Sequence, residues 1–352
     1  MRTLKRILVF LEIIIIIFST ILIDNSKKVD AQINLFRQRP ISIGVVVYNF
    51  EDKFISLVRE SLEEIQKQNT GQVEFKFFDG KGNQAIQNEV ISNVLSTERV
   101  DFLLVNLVNT QDTQQVINMV RSKNIPVIFF NREPVAIEPI KAYQKSFYVG
   151  TNAREAGMLQ GDILIKLWNN DRKLIDKNND GILQYIMLQG ERSSIEAQER
   201  TQYSISTINN AGIKTEQLAL SIGNWRRDLA KDAINSLFLQ YSTRIEAIIA
   251  NNDEMAIGAI EALQKYGYNK GDPTKNIPVF GIDGILAAQE LIKKGFMTGT
   301  VFEDPNDTAE ALYKVGLNLV YNIPPLEDTP YKFAKGETVI RIPYHGVITQ
   351  SN

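Results

Sequence analysis

From residue 41 onward, two hydrophobic patterns take turns along the chain. Ile41–Tyr48 is a continuous apolar run containing Val45-Val46-Val47, as in a strand buried on both faces. In Asp52–Gln68, Phe54, Val58, Leu62 and Ile65 fall on one side of a helix. The pair then repeats. Strands are predicted at Val73–Phe78, Phe102–Val105 and Pro126–Phe130, with helices at Asn83–Leu95 and Thr113–Lys123. Tyr148-Val149-Gly150 begins a crossing into a second series. That series predicts helices at Ala153–Trp168, Ile195–Asn210, Trp225–Leu237, Asp253–Tyr266, Ile285–Lys294 and Asp307–Tyr321. Its strands are Gln184–Leu188, Thr215–Leu220, Ile245–Ala250, Ile277–Gly281 and Gly299–Phe302. Alternation this regular predicts an α/β fold of two lobes, each a parallel sheet flanked by helices.

Composition narrows the chemistry. The chain has 352 residues, 44% of them hydrophobic, enough for two large cores. A net charge of −2 gives no basic surface for nucleic acid. The absence of cysteine excludes disulfides, thiolate metal sites, thiol catalysis and a lipoprotein anchor. A single histidine, His345, argues against a Ser-His-Asp triad and rules out a multi-histidine metal site.

The start of the chain reads as a targeting segment. Arg2, Lys5 and Arg6 precede the apolar run Ile7–Ile23, interrupted by Glu12. Residues 1–24 fit a secretory signal peptide or an uncleaved signal anchor, and 25–40 a polar linker. Either reading puts the remaining chain outside the cytoplasm, in the periplasm or on the outer face of the membrane.

In open α/β sheets, ligands bind beyond the carboxyl ends of the strands. The strand ends here offer Asn49, Asp52 and Phe54; Asn131, Arg132 and Glu133; Glu191, Arg192, Ser194, Glu196 and Arg200; Trp225; Asn251, Asn252 and Asp253; Asp283; and Glu303. Planar groups of this kind each make two hydrogen bonds, as adjacent sugar hydroxyls require, and an aromatic ring can stack on a pyranose face. No phosphate-cradling glycine loop occurs. Each residue also has a plainer role open to it. Asp52 and Asp253 can cap helices, as can Asp283; Trp225 can be core, and Arg200 a solvated helix charge.

One stretch points to a metal. In Asp176–Gln184, Asp176, Asn178 and Asp180 set side-chain oxygens at alternate positions, and Gly181 follows where a tight turn needs positive φ. Ile182 can add a main-chain carbonyl and Gln184 an amide oxygen. This is the order of ligands 1, 3, 5, 7 and 9 in an EF-hand calcium loop. The twelfth position is Met187, inside an apolar strand pattern, so one carboxylate must come from elsewhere. The plain alternative is a polar surface turn.

These residues together resemble the calcium-containing galactose/glucose-binding branch of the type I periplasmic sugar-binding proteins. The resemblance spans Ile41 to Val347 and rests on Phe129–Pro134, Tyr148–Thr151, the calcium loop, Gly212–Leu218, Ile249–Asp253 and Pro278–Asp283. It implies two Rossmann-like lobes with a three-crossing hinge near Gly150, Glu303 and Ile342. Residues 41–150 plus 304–341 would form the N-terminal lobe, and 151–303 plus 342–352 the calcium-binding lobe. It implies Ca2+ held by Asp176, Asn178, Asp180, Ile182 and Gln184, with Glu246 as the missing carboxylate. It implies sugar contacts from Asp52, Phe54, Asn131, Arg200, Trp225, Asn252 and Asp283, with Phe54 and Trp225 on the two faces of the ring. Three positions depart from the family: Ser194 stands where it has His, Glu196 where it has Asp, and Glu303 where it has Asn.

The expected function is binding of a galactose- or glucose-like monosaccharide by lobe closure, for an ABC-type sugar permease. The alternative is an anchored sensor presenting its closed form to a histidine kinase or chemoreceptor. A carboxylate-pair glycosidase is the rival enzyme class and is not preferred, and a DNA-binding repressor is excluded by the missing helix-turn-helix and the export segment.

Overall fold

The computed structural model describes residues 39–334 and 336–350. The targeting segment and nearly all of the linker, residues 1–38, lie outside the described residues. The first series is β1 (Ile41–Val47), α1 (Lys53–Gln68), β2 (Val73–Asp79), α2 (Gln84–Thr97), β3 (Phe102–Val105), α3 (Thr113–Ser122), β4 (Val127–Phe130), a one-turn α4 (Glu138–Lys141) and β5 (Ser146–Gly150). The second is α5 (Ala153–Asn170), a one-turn α6 (Arg172–Ile175), β6 (Ile182–Gln189), α7 (Ile195–Asn210), β7 (Lys214–Ile222), α8 (Arg227–Tyr241), β8 (Ala247–Ala250), α9 (Asp253–Lys265), β9 (Val279–Asp283), α10 (Leu286–Lys293) and β10 (Gly299–Phe302). The chain closes with α11 (Pro305–Val320), β11 (Lys332–Phe333), β12 (Val339–Arg341) and β13 (Val347–Thr349).

Two sheets result, with strand orders β11-β12-β5-β4-β3-β1-β2 and β13-β10-β9-β8-β6-β7. Pairing is parallel except at one edge of each, where β11 runs against β12 and β13 against β10. The chain passes between the sheets three times: after β5, after β10, and between β12 and β13. Thr151, Glu303 and Tyr344 stand on these three passages and meet there. The Tyr344 hydroxyl donates to Thr151 Oγ1 at 2.8 Å, and Thr151 donates to Glu303 at 3.4 Å.

Burial explains the continuous apolar strands. Every residue of β1 is buried. Ile43, Val45 and Val47 pack into a layer with Phe54, Leu62 and Leu312, while Val46 points to the other side, against Ile91 and Val94. A strand covered on both faces cannot alternate polar with apolar, and each such side chain contributes about 1.5–3 kcal/mol by leaving water. The second sheet repeats this, with Ile186 and Leu188 on one face and Met187 and Phe280 on the other.

Helices α5 and α7 approach closely at two glycines. A Cβ on Gly157 would lie 2.8 Å from the Arg200 carbonyl oxygen, and one on Gly161 2.8 Å from that of Ser204. The missing side chains let α7 settle deep enough to carry Arg200 into the interior.

Several expectations are corrected. Tyr148-Val149-Gly150 is the end of strand β5, paired with both β4 and β12, and the crossing starts after it. The strand predicted at Ile277–Gly281 lies two residues later and ends on Asp283 itself. Trp225 precedes α8, which begins at Arg227. The strands after residue 330 were not predicted; they are two or three residues long, too short for a period to register. Asp253 is not a cap. Asn252 caps α9, while the buried Asp253 carboxylate accepts from Gly284 N (2.7 Å), Ile285 N (3.0 Å) and Thr300 Oγ1 (2.6 Å). Nor does Asp283 cap α10, which has no side-chain cap.

Asp253→Ala should therefore strand three buried donors and lower stability by about 3 kcal/mol or more. Urea denaturation checks this; a midpoint like the parent's would show that water satisfies those donors.

Candidate functional site

The carboxyl ends of both sheets face one cavity. Tyr48, Asp52, Phe54, Asn131 and Arg132 line it from the first sheet's side; Ser194, Glu196, Arg200, Trp225, Asn252 and Asp283 line it from the second. About 440 Å³ between these residues is free of protein atoms, the open mouth of the cleft included. Nine of the ten positions expected to contact sugar line this cavity. Glu303 does not: it sits one layer back, buried among the crossings.

On the first side, the chain leaves β1 and turns into α1 at Asp52. One carboxylate oxygen accepts the Ile55 N–H at 2.9 Å and caps the helix; the other accepts the Tyr48 hydroxyl at 2.5 Å. Phe54 follows, nearly buried. After β4, Asn131 turns the chain with φ 59° and is held by Tyr148, whose hydroxyl donates to its carbonyl at 2.8 Å. Arg132 then folds back over the Tyr48 ring, 4.5 Å from its centroid.

On the second side, Ser194 caps α7 by accepting from Ala197 N, and its hydroxyl donates to Glu196 Oε2 at 2.7 Å. Asn252 caps α9 and also donates to the Trp225 carbonyl at 3.2 Å. Trp225 has φ 66°, and its ring lies so close to Gly190 that a Cβ there would fall 2.4 Å from it. Asp283 has φ 124°. Left-handed backbone at a tryptophan and an aspartate costs about 1–3 kcal/mol each and gathers at functional sites.

Arg200 is the hub. It donates to the Asn251 carbonyl at 2.9 Å, lies 3.7 Å from Asp283 and 3.4 Å from Glu303, and reaches the Tyr344 hydroxyl at 3.4 Å. Among the described residues its Nε has no partner, nor has Trp225 Nε1. Among the described residues the Asp283 carboxylate accepts no hydrogen bond; its ion pair is with the guanidinium of Arg200.

Polar links join the sides. Arg132 makes a bidentate pair with Glu191, at 3.0 and 2.6 Å, and the Glu133 N–H donates to Glu196. Arg132 and Glu191 stood among the strand-end residues without a role, because nothing in either one's neighbourhood along the chain predicts the other. Tyr48 was hidden as the last residue of an apolar run, and Gly190 had no signal at all.

This arrangement matches known proteins. Residues 43–322 match the periplasmic binding protein domain. The chain belongs to the periplasmic binding protein family. It is 37% identical over 306 residues to the D-galactose/methyl-galactoside binding periplasmic protein MglB of Haemophilus influenzae, covering 87% of this chain and 88% of that one. It is 25% identical over 230 residues to the ribose import binding protein RbsB of Escherichia coli, 65% of this chain and 68% of that one. Among solved structures, an ABC transporter solute binding protein from Bacillus halodurans with bound myo-inositol superposes with a TM-score of 0.70 at 28% identity, over 89% and 96% of the two chains.

Electrostatics in this family member's cleft are dominated by burial. Burial raises the pKa of Asp52, against the lowering effect of the Ile55 N–H and the Tyr48 hydroxyl. Burial likewise raises Glu196, opposed by Ser194 and the Glu133 N–H. Asp283 is pushed well above the usual range by burial, with Arg200 pulling it down and Asp253, Glu303 and Asp52 pushing it up. Burial lifts Glu303 from 4.5 to about 7, partly countered by Arg200. For Arg200, burial works against the charge, but Tyr344, Asp283 and Glu303 more than offset it.

A carboxyl raised in the folded state binds more protons there than in the unfolded chain. Glu303 therefore favours folding below about pH 4.5, and that contribution is lost as the pH rises to about 7. Between pH 5 and pH 8 the ligand-free parent should lose about 2 kcal/mol more stability than Glu303→Gln. Urea midpoints at the two pH values test it; equal losses in both proteins would put the cost on another group.

Proposed function

We propose that this chain binds a galactose- or glucose-like monosaccharide outside the cytoplasm by closing its two lobes around it, and delivers the sugar to an ABC-type permease. The observation that carries this reading is a set of buried polar groups left unsatisfied at one cavity: among the described residues Arg200 Nε and Trp225 Nε1 have no partner, and the Asp283 carboxylate has a 3.7 Å ion pair with Arg200 but accepts no hydrogen bond. An unpaired buried polar group costs about 1–3 kcal/mol, and a polyhydroxylated ring supplies both the acceptors and the donors these groups lack. Phe54 and Trp225 offer apolar ring faces beside them. The relatives favour uptake over sensing, since those compared are binding and import proteins. The chain works as a carrier rather than a catalyst: its cleft carboxylates accept hydroxyl protons in hydrogen bonds.

Closure is completed by the links across the cleft, Arg132 to Glu191 and Glu133 N to Glu196, and by Leu57 of α1, which packs on the second lobe's core. The hinge is the set of three passages at Thr151, Glu303 and Tyr344. Because Arg200 touches both Glu303 and Tyr344, a sugar seated on Arg200 feeds its contacts directly into that hinge.

Calcium fits the loop at Asp176–Gln184. Gly181 has φ 79°, as the turn requires. The Asp176 carboxylate is buried, with Oδ2 taken by Arg172 at 2.7 Å and Oδ1 without a partner. The Asn178, Asp180 and Gln184 side chains meet at 2.9–3.2 Å. Glu246, on the approach to β8, holds the loop by accepting from Lys177 N at 2.7 Å and Gln184 N at 3.0 Å. Asp176, Asn178, Asp180, Gln184 and Glu246 with the Ile182 carbonyl would hold the ion, which supplies positive charge that ties the loop to the second sheet. The loop follows α6, away from the strand ends that form the cleft, so the ion's role is structural.

Titration calorimetry against aldohexoses and pentoses tests the first part. Binding is expected, and Trp225→Ala should weaken it at least tenfold by removing one ring face. No heat with any of them would sink the reading. For calcium, the parent should melt higher in Ca2+ than in chelator, and Asp180→Ala should narrow that gap while keeping sugar affinity within a few-fold. A parent that melts identically in both would contradict the ion.

A further inference from the structure

The cleft gathers more buried carboxyl groups than its own cations can balance. Asp52, Glu196 and Asp283 line the cavity, with Glu191 and Glu303 directly behind on Arg132 and Arg200. Among the described residues, these five carboxylates meet two guanidiniums. Both guanidiniums are committed. Arg132 is spent on the bidentate pair with Glu191, and Arg200 is shared by Asp283 and Glu303. The neighbouring Glu133 brings its own cation, Arg341, at 2.7 Å, and leaves the balance unchanged.

The surplus is concentrated where the two lobes face each other. Asp52 comes from the first lobe and Asp283 from the second, and both line the same cavity. Asp52 has hydrogen bonds from Tyr48 and Ile55 but no cation within ion-pair distance among the described residues. Asp283 has a buried, left-handed backbone position and a carboxylate that accepts no hydrogen bond. Bringing two such groups together in a site with little water is repulsive. A neutral sugar hydroxyl satisfies one acceptor but leaves the charge. An ammonium group donates three hydrogen bonds and cancels a full charge. It also turns the repulsion between lobes into a bridge, so that a charged ligand favours the closed form. Glu303, one layer behind the cavity, adds its charge to the cluster once the pH passes about 7 and then works in the same direction.

We propose that the cleft takes an amino sugar, a hydroxylated ring whose free ammonium group sits between Asp52 and Asp283, in preference to the neutral hexose. This rests on the monosaccharide reading of the same site. The ring hydroxyls meet Arg200, Asn131 and Asn252 as a neutral sugar's would; the amine adds the selectivity.

Titration calorimetry of the full chain at pH 7.5, where Glu303 is largely ionised, with D-galactosamine, D-glucosamine, their N-acetyl forms, D-galactose and D-glucose separates the cases. At least one free amine should bind tenfold or more tighter than its parent hexose and than its N-acetyl form, which keeps the nitrogen but loses the charge. Glu303→Gln, which leaves the cavity lining intact, should reduce the amine-to-hexose ratio several-fold. Equal or tighter binding of a neutral hexose overturns the amino-sugar proposal and leaves the monosaccharide reading standing. An N-acetyl form that binds as tightly as the amine overturns it too, because shape rather than charge would then be read. Failure of all six sugars overturns both readings.

Discussion

The buried guanidinium of Arg200 is the constraint on which the rest of the site depends. It bonds the end of β8 through Asn251, pairs with Asp283 at the end of β9, and reaches Glu303 and Tyr344 on two of the three passages between sheets. Burying such a charge is expensive unless it is paired, so these carboxylates cannot be lost separately without cost. The glycine contacts of α5 on α7 exist to bring it this deep. Its one unpartnered nitrogen belongs to a residue of the cavity lining, which makes the ligand the last member of the network.

Helix capping and cavity lining share side chains. Asp52, Ser194 and Asn252 cap α1, α7 and α9, and all three line the cavity. Capping, one of the plainer roles open from the sequence, does not take Asp52 away from the cleft, because the chain turns into the helix at the cavity wall. Three helix N-termini therefore converge on the cleft, and their partial positive ends soften the burial of so many acids.

The strained residues are each held by a named bond. Asn131 is fixed by the Tyr148 hydroxyl, and Trp225 by Asn252. The turn after Asp283 is fixed by Asp253, which takes the N–H groups of Gly284 and Ile285. Strain at a binding residue persists only where its neighbours over-determine it. These bonds pre-set the cleft, so little ordering remains for the ligand to drive.

Periodicity alone determined the two α/β units and nearly every helix and long strand, because a strand covered on both faces and a helix covered on one leave different marks in the chain. Strand ends are local, so Asp52, Asn131, Arg200, Trp225, Asn252 and Asp283 were all legible as one group. The turn at Gly181 was legible for the same reason. What needed the tertiary structure was every relation between distant segments. Only packing could move Glu303 behind Arg200 and out of the cavity, or turn Glu196 toward the Glu133 N–H. Only packing could pair Arg132 with Glu191 and make Asp253 a clamp instead of a cap. The reason is physical: hydrophobic spacing records which face of an element is buried, whereas the partner of a buried charge is chosen by whichever group the folded chain brings within reach.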